Sequence, residues 1–199
     1  MEKRYAILKP GKFETRESVN ESGENEMHLS GYFARFDDIY TYCEGVTESI
    51  APYAFNLERD NDVRCLTNHD ATLVLGRTAA GTMKLSVDEH GLHLDDLLIN
   101  PKDQDAVNTW ARVQRGDVSQ CSFGFNILKE SHEYRENGGV HYTLEDIELF
   151  EISVCTFPAY QNTSVEARTR DAENLKRRDF EAWKEKTEAK HVWLKGETK

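Results

Sequence analysis

A hydroxyl and a carboxylate are predicted to share one face of a β-hairpin in the second half of the chain. Asn137-Gly138 lies between two β-like runs, and an Asn-Gly pair in that setting favours a tight hairpin turn. A two-residue turn there pairs Ser122 with Ser153 and places Glu151 one diagonal step from Ser122, about 7–8 Å away. Two groups at that separation can be bridged by an imidazole. A turn of three residues would reverse the facing, so the prediction depends on the turn.

His69 is the candidate for the bridging imidazole. It follows Leu66-Thr67-Asn68 at the end of an apolar run, where a strand-end side chain can face a cleft. A hydroxyl becomes a good nucleophile when a base takes its proton, and a carboxylate on the other ring nitrogen of that base fixes its tautomer. From the residues alone, a surface histidine beside Asp70 is the simpler interpretation, and both interpretations stay open at this point.

Composition and charge exclude several function classes. The 199 residues include 25 Lys and Arg against 36 Asp and Glu, a net charge of −11. A chain this acidic, with no basic stripe outside its C-terminal tail, is not expected to bind nucleic acid. Residues 1–20 lack the apolar stretch of a secretion signal, and no run approaches the ~20 apolar residues of a membrane helix. The four cysteines are widely spaced, so reduced thiols in an intracellular protein are expected.

The elements around these residues are predicted to be mostly short strands. Between residues 63 and 98, several β-like runs alternate with turn residues, which favours a small antiparallel barrel or sandwich. Residues 100–115 show helical spacing and end at Gly116, so a helix is predicted there. A short helix is also predicted over residues 49–59, opening at Pro52.

A change in composition divides the chain into a main domain, residues 1–168, and a tail, residues 169–199. The main domain begins with residues 1–27, which include a polar segment expected to be a mobile loop. Residues 171–199 hold eight Lys and Arg, seven Asp and Glu, and few apolar residues. This composition predicts a charged helical extension that is loosely attached to the main domain.

An ordered set of motifs resembles one known family. The motifs are Asn68-His69-Asp70, Leu75-Gly76-Arg77-Thr78, Gly91-Leu92, the helix closing at Gly116, Ser122-Phe123-Gly124-Phe125, Leu149-Phe150-Glu151-Ile152-Ser153-Val154 and Phe157-Pro158-Ala159-Tyr160. In this order and at this spacing, from about residue 31 to residue 168, the chain resembles the prohead maturation proteases of tailed bacteriophages.

The resemblance implies a serine endopeptidase with an α+β fold. The implied architecture is a small, mostly antiparallel β-barrel flanked by helices, similar to that of the herpesvirus assemblin proteases. By motif, His69 is the base and Ser122 the nucleophile. Glu151 is the third member, although the herpesvirus relatives use a second histidine in that role. Gly76 and Arg77 are expected to help place an oxyanion donor or a water, while a β-turn with a surface arginine explains them equally well.

The resemblance also implies a substrate and a place of action. Such enzymes remove scaffolding segments from capsid proteins inside the immature prohead, in the host cytoplasm. The expected partners are the major capsid protein or its scaffolding segment, the portal protein, and the chain itself through self-processing that removes the tail. No cofactor, metal, nucleic acid or membrane is expected to take part.

Three alternatives stay open. The same barrel could bind capsid protein without catalysis, as a scaffold or chaperone. Cys121 suggests a Cys–His protease, but neighbouring strand residues point to opposite faces, so Cys121 faces away if Ser122 faces the site. His90 and His93 are spaced as in a metal hydrolase, although no third ligand is evident.

Overall fold

The computed structural model describes residues 4–7, 13–136, 138–157, 174–179, 181–182 and 184. Its elements, in chain order, are β1 (Arg4–Ile7), β2 (Glu14–Val19), β3 (Asn25–Arg35), β4 (Tyr40–Cys43), β5 (Val46–Ile50), β6 (Arg64–Thr67), β7 (Asp70–Arg77), β8 (Met83–Val87), β9 (Gly91–Ile99), α1 (Gln104–Arg115), β10 (Gln120–Tyr134) and β11 (Val140–Cys155). A short 3₁₀ turn, Thr78–Ala80, follows β7.

The strands form two sheets. The larger sheet has the order β1-β10-β11-β5-β4, with β6 pairing to β11 and to β7, and the smaller sheet has the order β2-β3-β9-β8. Most pairs are antiparallel, while β11 runs parallel to β5 and to β6. Across the described residues neither sheet closes on itself, so the predicted barrel is not confirmed. A mostly antiparallel β-structure with a helix agrees with the α+β class.

The core lies between the two sheets. Side chains alternate along each strand, so every second residue of a strand points inwards. Phe33 and Leu94 are fully buried on the smaller sheet, and Phe123 and Phe125 are buried on the larger one. The ring centroids of Phe123 and Phe125 lie 5.0 Å apart, and Phe55 packs 5.8 Å from Phe123. These rings hold one face of β10 in the core and leave its other face for polar groups.

The predicted helix over residues 100–115 is confirmed as α1. It begins three residues after Pro101, where the Asp103 carboxylate accepts hydrogen bonds from the backbone N–H groups of Asp105 and Ala106, at 3.0 and 3.2 Å. It ends at Gly116, whose φ of +86° suits glycine. The Trp110 indole N–H donates to the carbonyl of His28 at 2.9 Å, which fastens the helix to the smaller sheet.

The predicted helix over residues 49–59 is wrong. Residues 46–50 form β5 instead, because their backbone pairs in parallel with residues 140–144 of β11. The pairing continues past the strand, since the Ala51 N–H donates to the Leu144 carbonyl at 2.9 Å. Non-helical turns then follow, with Ala54 and Phe55 buried in the core. Long-range strand pairing, which a local stretch of sequence does not show, outweighs the helix-start signal of Pro52 here.

The β10–β11 hairpin has the predicted pairing near Ser122 but not the predicted turn. Its outermost pair is Tyr134 with Val140, so the loop covers residues 135–139, and Asn137 itself lies outside the described residues. A loop of odd length reverses the facing of paired residues. Three bulges between the loop and Ser122 add two extra residues to β11 and one to β10. The net difference of one residue reverses the facing a second time and so restores the predicted one. Ser122 consequently pairs with Ser153.

The start of the predicted tail is partly described. Residues 174–179 are helical, and Leu175 packs against Val46, Val140 and Tyr142. The predicted domain boundary between residues 168 and 169 falls outside the described residues and stays a prediction. In the part of the chain that the structure describes, no helix is both long enough and apolar enough to span a membrane.

Candidate active site

One face of the larger sheet carries the polar residues of the candidate site. Ser122 pairs with Ser153, and Gly124 pairs with Glu151, across the β10–β11 ladder. Directly paired residues and residues two apart along a strand point to the same side of a sheet. Ser122, Glu151 and Ser153 therefore share one face, opposite the face that Phe123 presents to the core.

His69 reaches this face from the junction between β6 and β7. Asn68 and His69 both adopt left-handed backbone conformations, with φ of +53° and +59°. Non-glycine residues pay about 1–2 kcal/mol each for this conformation, so neighbouring contacts must hold it. The Asn68 N–H donates to the Val154 carbonyl at 2.9 Å, and the Asn68 side-chain oxygen accepts from the Thr156 N–H at 2.8 Å. This loop is thereby fixed to the end of β11.

His69 and Glu151 are in direct contact. The distance from His69 Nδ1 to Glu151 Oε1 is 2.5 Å, and the two side chains are only 10% and 5% exposed. An ionised carboxylate only accepts hydrogen bonds, so Nδ1 carries the proton and donates it. The second ring nitrogen, Nε2, then carries the lone pair that can accept a proton.

Gly124 makes room for the carboxylate. A Cβ atom at this position would lie 2.6 Å from Glu151 Oε1 and 2.6 Å from Phe150 Cε2. Real Cβ contacts are longer than this, so any larger residue at position 124 would displace the Glu151 side chain. The Glu151 side chain thus explains on steric grounds why the Ser122-Phe123-Gly124-Phe125 motif has a glycine at position 124.

Ser122 and Cys121 point to opposite sides of β10. Ser122 is fully buried on the site face, and its strand neighbour on the other side is Ile7 of β1. Cys121 is also fully buried, and its thiol donates to the carbonyl of Tyr32, 3.4 Å away, in the smaller sheet. The alternative of a protease that uses Cys121 is therefore not supported.

Sequence reasoning missed two neighbours of His69. Cys155 Sγ lies 3.9 Å from His69 Nε2, and Ser153 Oγ contacts both the His69 backbone and Glu151. Burial raises the pKa of the Cys155 thiol to about 12, so it is neutral near pH 7. The available signal was the alternation along β11, which places residues 151, 153 and 155 on one face.

A cleft of about 560 Å³ opens beside the His69–Glu151 pair. Its walls are largely polar and charged, and they include Arg64, Asn126, Glu148 and Phe150. An open cleft with polar walls suits an extended peptide better than an apolar small molecule.

Gly76 and Arg77 lie on β7, one strand beyond β6. A Cβ on Gly76 would come within 2.3 Å of Leu97 Cδ1, so this glycine lets β7 approach the smaller sheet. Arg77 Nε donates to Asp62 Oδ1 at 2.6 Å, and that ion pair lowers the pKa of Asp62 to about 2. Because Asp62 lines the cleft, Arg77 acts on the cleft wall through it. Their part in an oxyanion site stays a prediction.

An ion pair between Arg59 and Asp60, the Arg59–Asp60 clamp, holds β11 just before Glu151. Arg59 donates to Asp60 and to Asp146, each at 2.8 Å, and to the carbonyl of Ile147. The buried Asp60 carboxylate accepts from the Leu149 N–H at 3.0 Å. These carboxylates raise the pKa of Arg59. The clamp thereby supports the bulge at Phe150 that sets the facing of Glu151.

His90 and His93 do not form a metal centre with their neighbours. His93 Nδ1 lies 2.8 Å from Asp95, and His90 Nε2 lies 3.6 Å from Glu89. Among the described residues, no three His, Cys, Asp or Glu side chains are grouped so that they could hold a metal ion.

Comparison with known proteins agrees with the chemistry of these residues. An imidazole held by a carboxylate beside a serine-bearing strand is typical of hydrolases that act by acyl transfer. A family model described as "Caudovirus prohead serine protease" matches residues 12–178. The chain belongs to this family and is a serine protease of phage prohead maturation.

One curated relative is the prohead protease of Enterobacteria phage HK97. It is 28% identical over 158 residues, which cover 77% of this chain and 67% of that protein. No solved structure matches the chain, so the predicted likeness to the herpesvirus fold stays a prediction.

Proposed function

We propose that this chain is a serine endopeptidase that cleaves scaffolding segments of capsid proteins, with Ser122 as nucleophile, His69 as base and Glu151 as orienting carboxylate. The observation that carries the proposal is the 2.5 Å contact between His69 Nδ1 and Glu151 Oε1 on the sheet face shared with Ser122. Membership of the prohead serine protease family supports the same assignment.

The proposed reaction is acyl transfer in two halves. Ser122 Oγ attacks the carbonyl carbon of the scissile peptide bond while His69 Nε2 takes the hydroxyl proton. His69 then gives this proton to the leaving amine, and the C–N bond breaks to leave an acyl ester on Ser122. Water attacks the ester with the same base, which releases the acid and regenerates Ser122. Glu151 accepts the hydrogen bond from His69 Nδ1 and stabilises the imidazolium in both halves.

The burial of Ser122 sets a condition on this reaction. Its exposed fraction is 0%, and a peptide carbonyl must come within about 3–3.5 Å of the hydroxyl oxygen. The proposal therefore requires the packing around Ser122 to open when substrate binds. Docking of a scaffolding segment in the cleft beside Glu151 is the natural trigger.

The proposed setting is the immature prohead in the host cytoplasm. The substrate is the major capsid protein or its scaffolding segment, and the chain itself is a second substrate, cut so that the tail is released. The portal protein is a further proposed partner. Family membership supports this setting, and the printed name of the HK97 relative, a prohead protease, agrees with it.

Replacing Ser122 by Ala tests the function. Proheads assembled with the Ser122→Ala chain are expected to form normally but to keep their scaffolding segments and an uncut protease. The fold is expected to change little, because the loss of one hydroxyl is worth about 1 kcal/mol. Ser131→Ala, an exposed serine on the same strand, is the matched control and is expected to process normally. Normal scaffold removal by Ser122→Ala would refute the proposal, because cleavage would then not depend on Ser122.

A further inference from the structure

We propose that Ser153 is a positioning residue that holds both halves of the His69–Glu151 pair in the reactive arrangement. The inference rests on the proposed function, and it adds a fourth residue to the three named there. Ser153 is fully buried and lies directly opposite Ser122 in the β10–β11 ladder.

The Ser153 hydroxyl makes two hydrogen bonds, one to each partner. It donates its proton to Glu151 Oε2 at 2.7 Å, and it accepts the backbone N–H of His69 at 3.2 Å. The hydroxyl donates its proton to the carboxylate and accepts the histidine N–H with a lone pair, so one hydroxyl can make both bonds at once. One oxygen atom thus connects the backbone of the proposed base to the side chain of its carboxylate.

The first bond selects an orientation of the carboxylate. With Oε2 held by Ser153, Oε1 is left to receive the proton on His69 Nδ1 at 2.5 Å. Without the hydroxyl, Oε2 would lose its bond in a buried site, where an unsatisfied carboxylate oxygen is costly. The carboxylate would then be free to turn about its last bond, and the imidazole would turn with it.

The second bond helps to hold the loop that carries the imidazole. Asn68 and His69 are both left-handed, and the His69 N–H is one of the few groups that anchor this pair to β11. The neighbouring residues Ile152 and Val154 are buried on the core face of the strand. Packing between the sheets therefore does not require a hydroxyl at position 153. On the site face, this hydroxyl makes hydrogen bonds to both Glu151 and His69.

The test compares loss, retention and a matched control in the full-length chain. Ser153→Ala removes the hydroxyl, Ser153→Cys keeps the shape with a weaker donor, and Ser153→Thr keeps the hydroxyl. Ser86→Ala is the control, because Ser86 also donates to a carboxylate, Asp95 Oδ1 at 2.6 Å, on the other sheet. Two quantities are measured: the rate at which a fluorophosphonate labels Ser122, and the downfield proton resonance of His69 Nδ1–H.

Ser153→Ala and Ser153→Cys are expected to slow the labelling of Ser122 by about 10- to 100-fold, as a misplaced catalytic group does. Both are expected to shift or broaden the His69 resonance, which we would record in a Ser122→Ala background to prevent self-processing. Ser153→Thr and Ser86→Ala are expected to keep the wild-type rate and resonance. If Ser153→Ala does not fold, Ser153→Cys decides the question.

Two results would overturn the inference in distinguishable ways. Wild-type labelling and an unchanged His69 resonance in Ser153→Ala, or in Ser153→Cys where Ser153→Ala does not fold, would show that Ser153 does not position the pair, and would leave the proposed function intact. Absence of both Ser122 labelling and the His69 resonance in the otherwise wild-type site would instead refute the proposed function, and the role of Ser153 with it.

Discussion

At the scale of single residues, the position of the Glu151 carboxylate depends on its hydrogen bonds and also on the space left beside it. The carboxylate touches His69 with one oxygen and Ser153 with the other, and Gly124 supplies the room below it. A carboxylate that is held at both oxygens has little freedom to rotate. This arrangement keeps the imidazole in one tautomer.

Gly124→Ala is expected to lower activity as well as stability. The new methyl group would meet Glu151 Oε1 and Phe150 at 2.6 Å, so the carboxylate must move away from His69. Overpacking of this kind costs about 1–3 kcal/mol of unfolding free energy. We expect the labelling of Ser122 by a fluorophosphonate to slow by about tenfold or more, as for other misplaced catalytic groups.

Gly23→Ala is the matched control for Gly124→Ala. Gly23 has a φ of +81° and no neighbour within 4 Å of an added Cβ, so alanine there brings backbone strain alone. It is expected to cost about 1–2 kcal/mol of stability and to leave the labelling rate unchanged. Equal labelling rates in the two variants would show that the space above Gly124 does not matter to the site.

The residues of the site were only partly predictable from the sequence. Glu151 was predicted from the register of the β-hairpin and from the family resemblance, and His69 from its position after an apolar run and from the same resemblance. Ser153 and Cys155 share the face of Glu151 by strand alternation, yet nothing in the sequence indicates that the loop at Asn68 brings His69 onto them. Its two left-handed residues are neither glycine, so the usual signal for that conformation is absent.

At the scale of elements, the β10–β11 hairpin has the predicted facing at Ser122, but it reaches that facing by a different turn and a different register. Asn137-Gly138 predicts a two-residue turn, but the loop covers residues 135–139. The correct facing at Ser122 depends on three bulges that no local sequence pattern predicts. The agreement at Ser122 therefore arises because the longer loop and the bulges, neither of which was predicted, cancel in their effect on the facing. The helix α1, by contrast, was predicted from signals at both of its ends.

The junction between β11 and β5 is expected to make stability depend on pH. His141 is buried there, between the hydroxyls of Thr47 and Ser49, with Arg135 at 3.0 Å. Burial first, and the charge of Arg135 second, lower its pKa below the usual 6.5, while Glu133 opposes them. The unfolded chain then binds a proton more readily than the folded one, so stability present above pH 6.5 is lost as the pH falls.

Thermal unfolding measured above and below pH 6.5 tests this expectation. The midpoint temperature of the wild type is expected to fall on acidification, and His141→Gln is expected to show a smaller fall. His90→Gln, at an exposed position in the turn between β8 and β9, is the control and should behave as the wild type. An identical fall in the wild type and in His141→Gln would exclude His141 as the cause.

At the scale of the whole molecule, two sheets and α1 enclose the main core, in which Cys65 and Cys121 lie, while Cys155 is buried on the site face beside His69. Cys65, Cys121 and Cys155 form no disulfide, and none of the three has exposed surface. Burial raises the pKa of Cys65 and of Cys155. A thiol reacts as the thiolate, so these groups are protected both by burial and by their protonation.

The three buried thiols are expected to react with a disulfide reagent such as DTNB only when the protein unfolds. The experiment uses a Cys43→Ser chain, so that the fourth cysteine does not contribute to the reaction. Thiol release should be negligible in the folded state and should rise to three groups per chain along the urea unfolding curve. Rapid reaction of the folded chain would contradict the burial of these three thiols.

The most direct test of the account is to map where a fluorophosphonate binds in proheads that contain the protease during maturation. The account predicts a covalent phosphonyl group on Ser122, found by mass spectrometry of the digested chain. It also predicts that the modification is lost in His69→Ala and strongly reduced in Glu151→Ala, because the hydroxyl then has no oriented base. Modification of a different serine, or equal modification of Ser122 in the wild type and in His69→Ala, would contradict it.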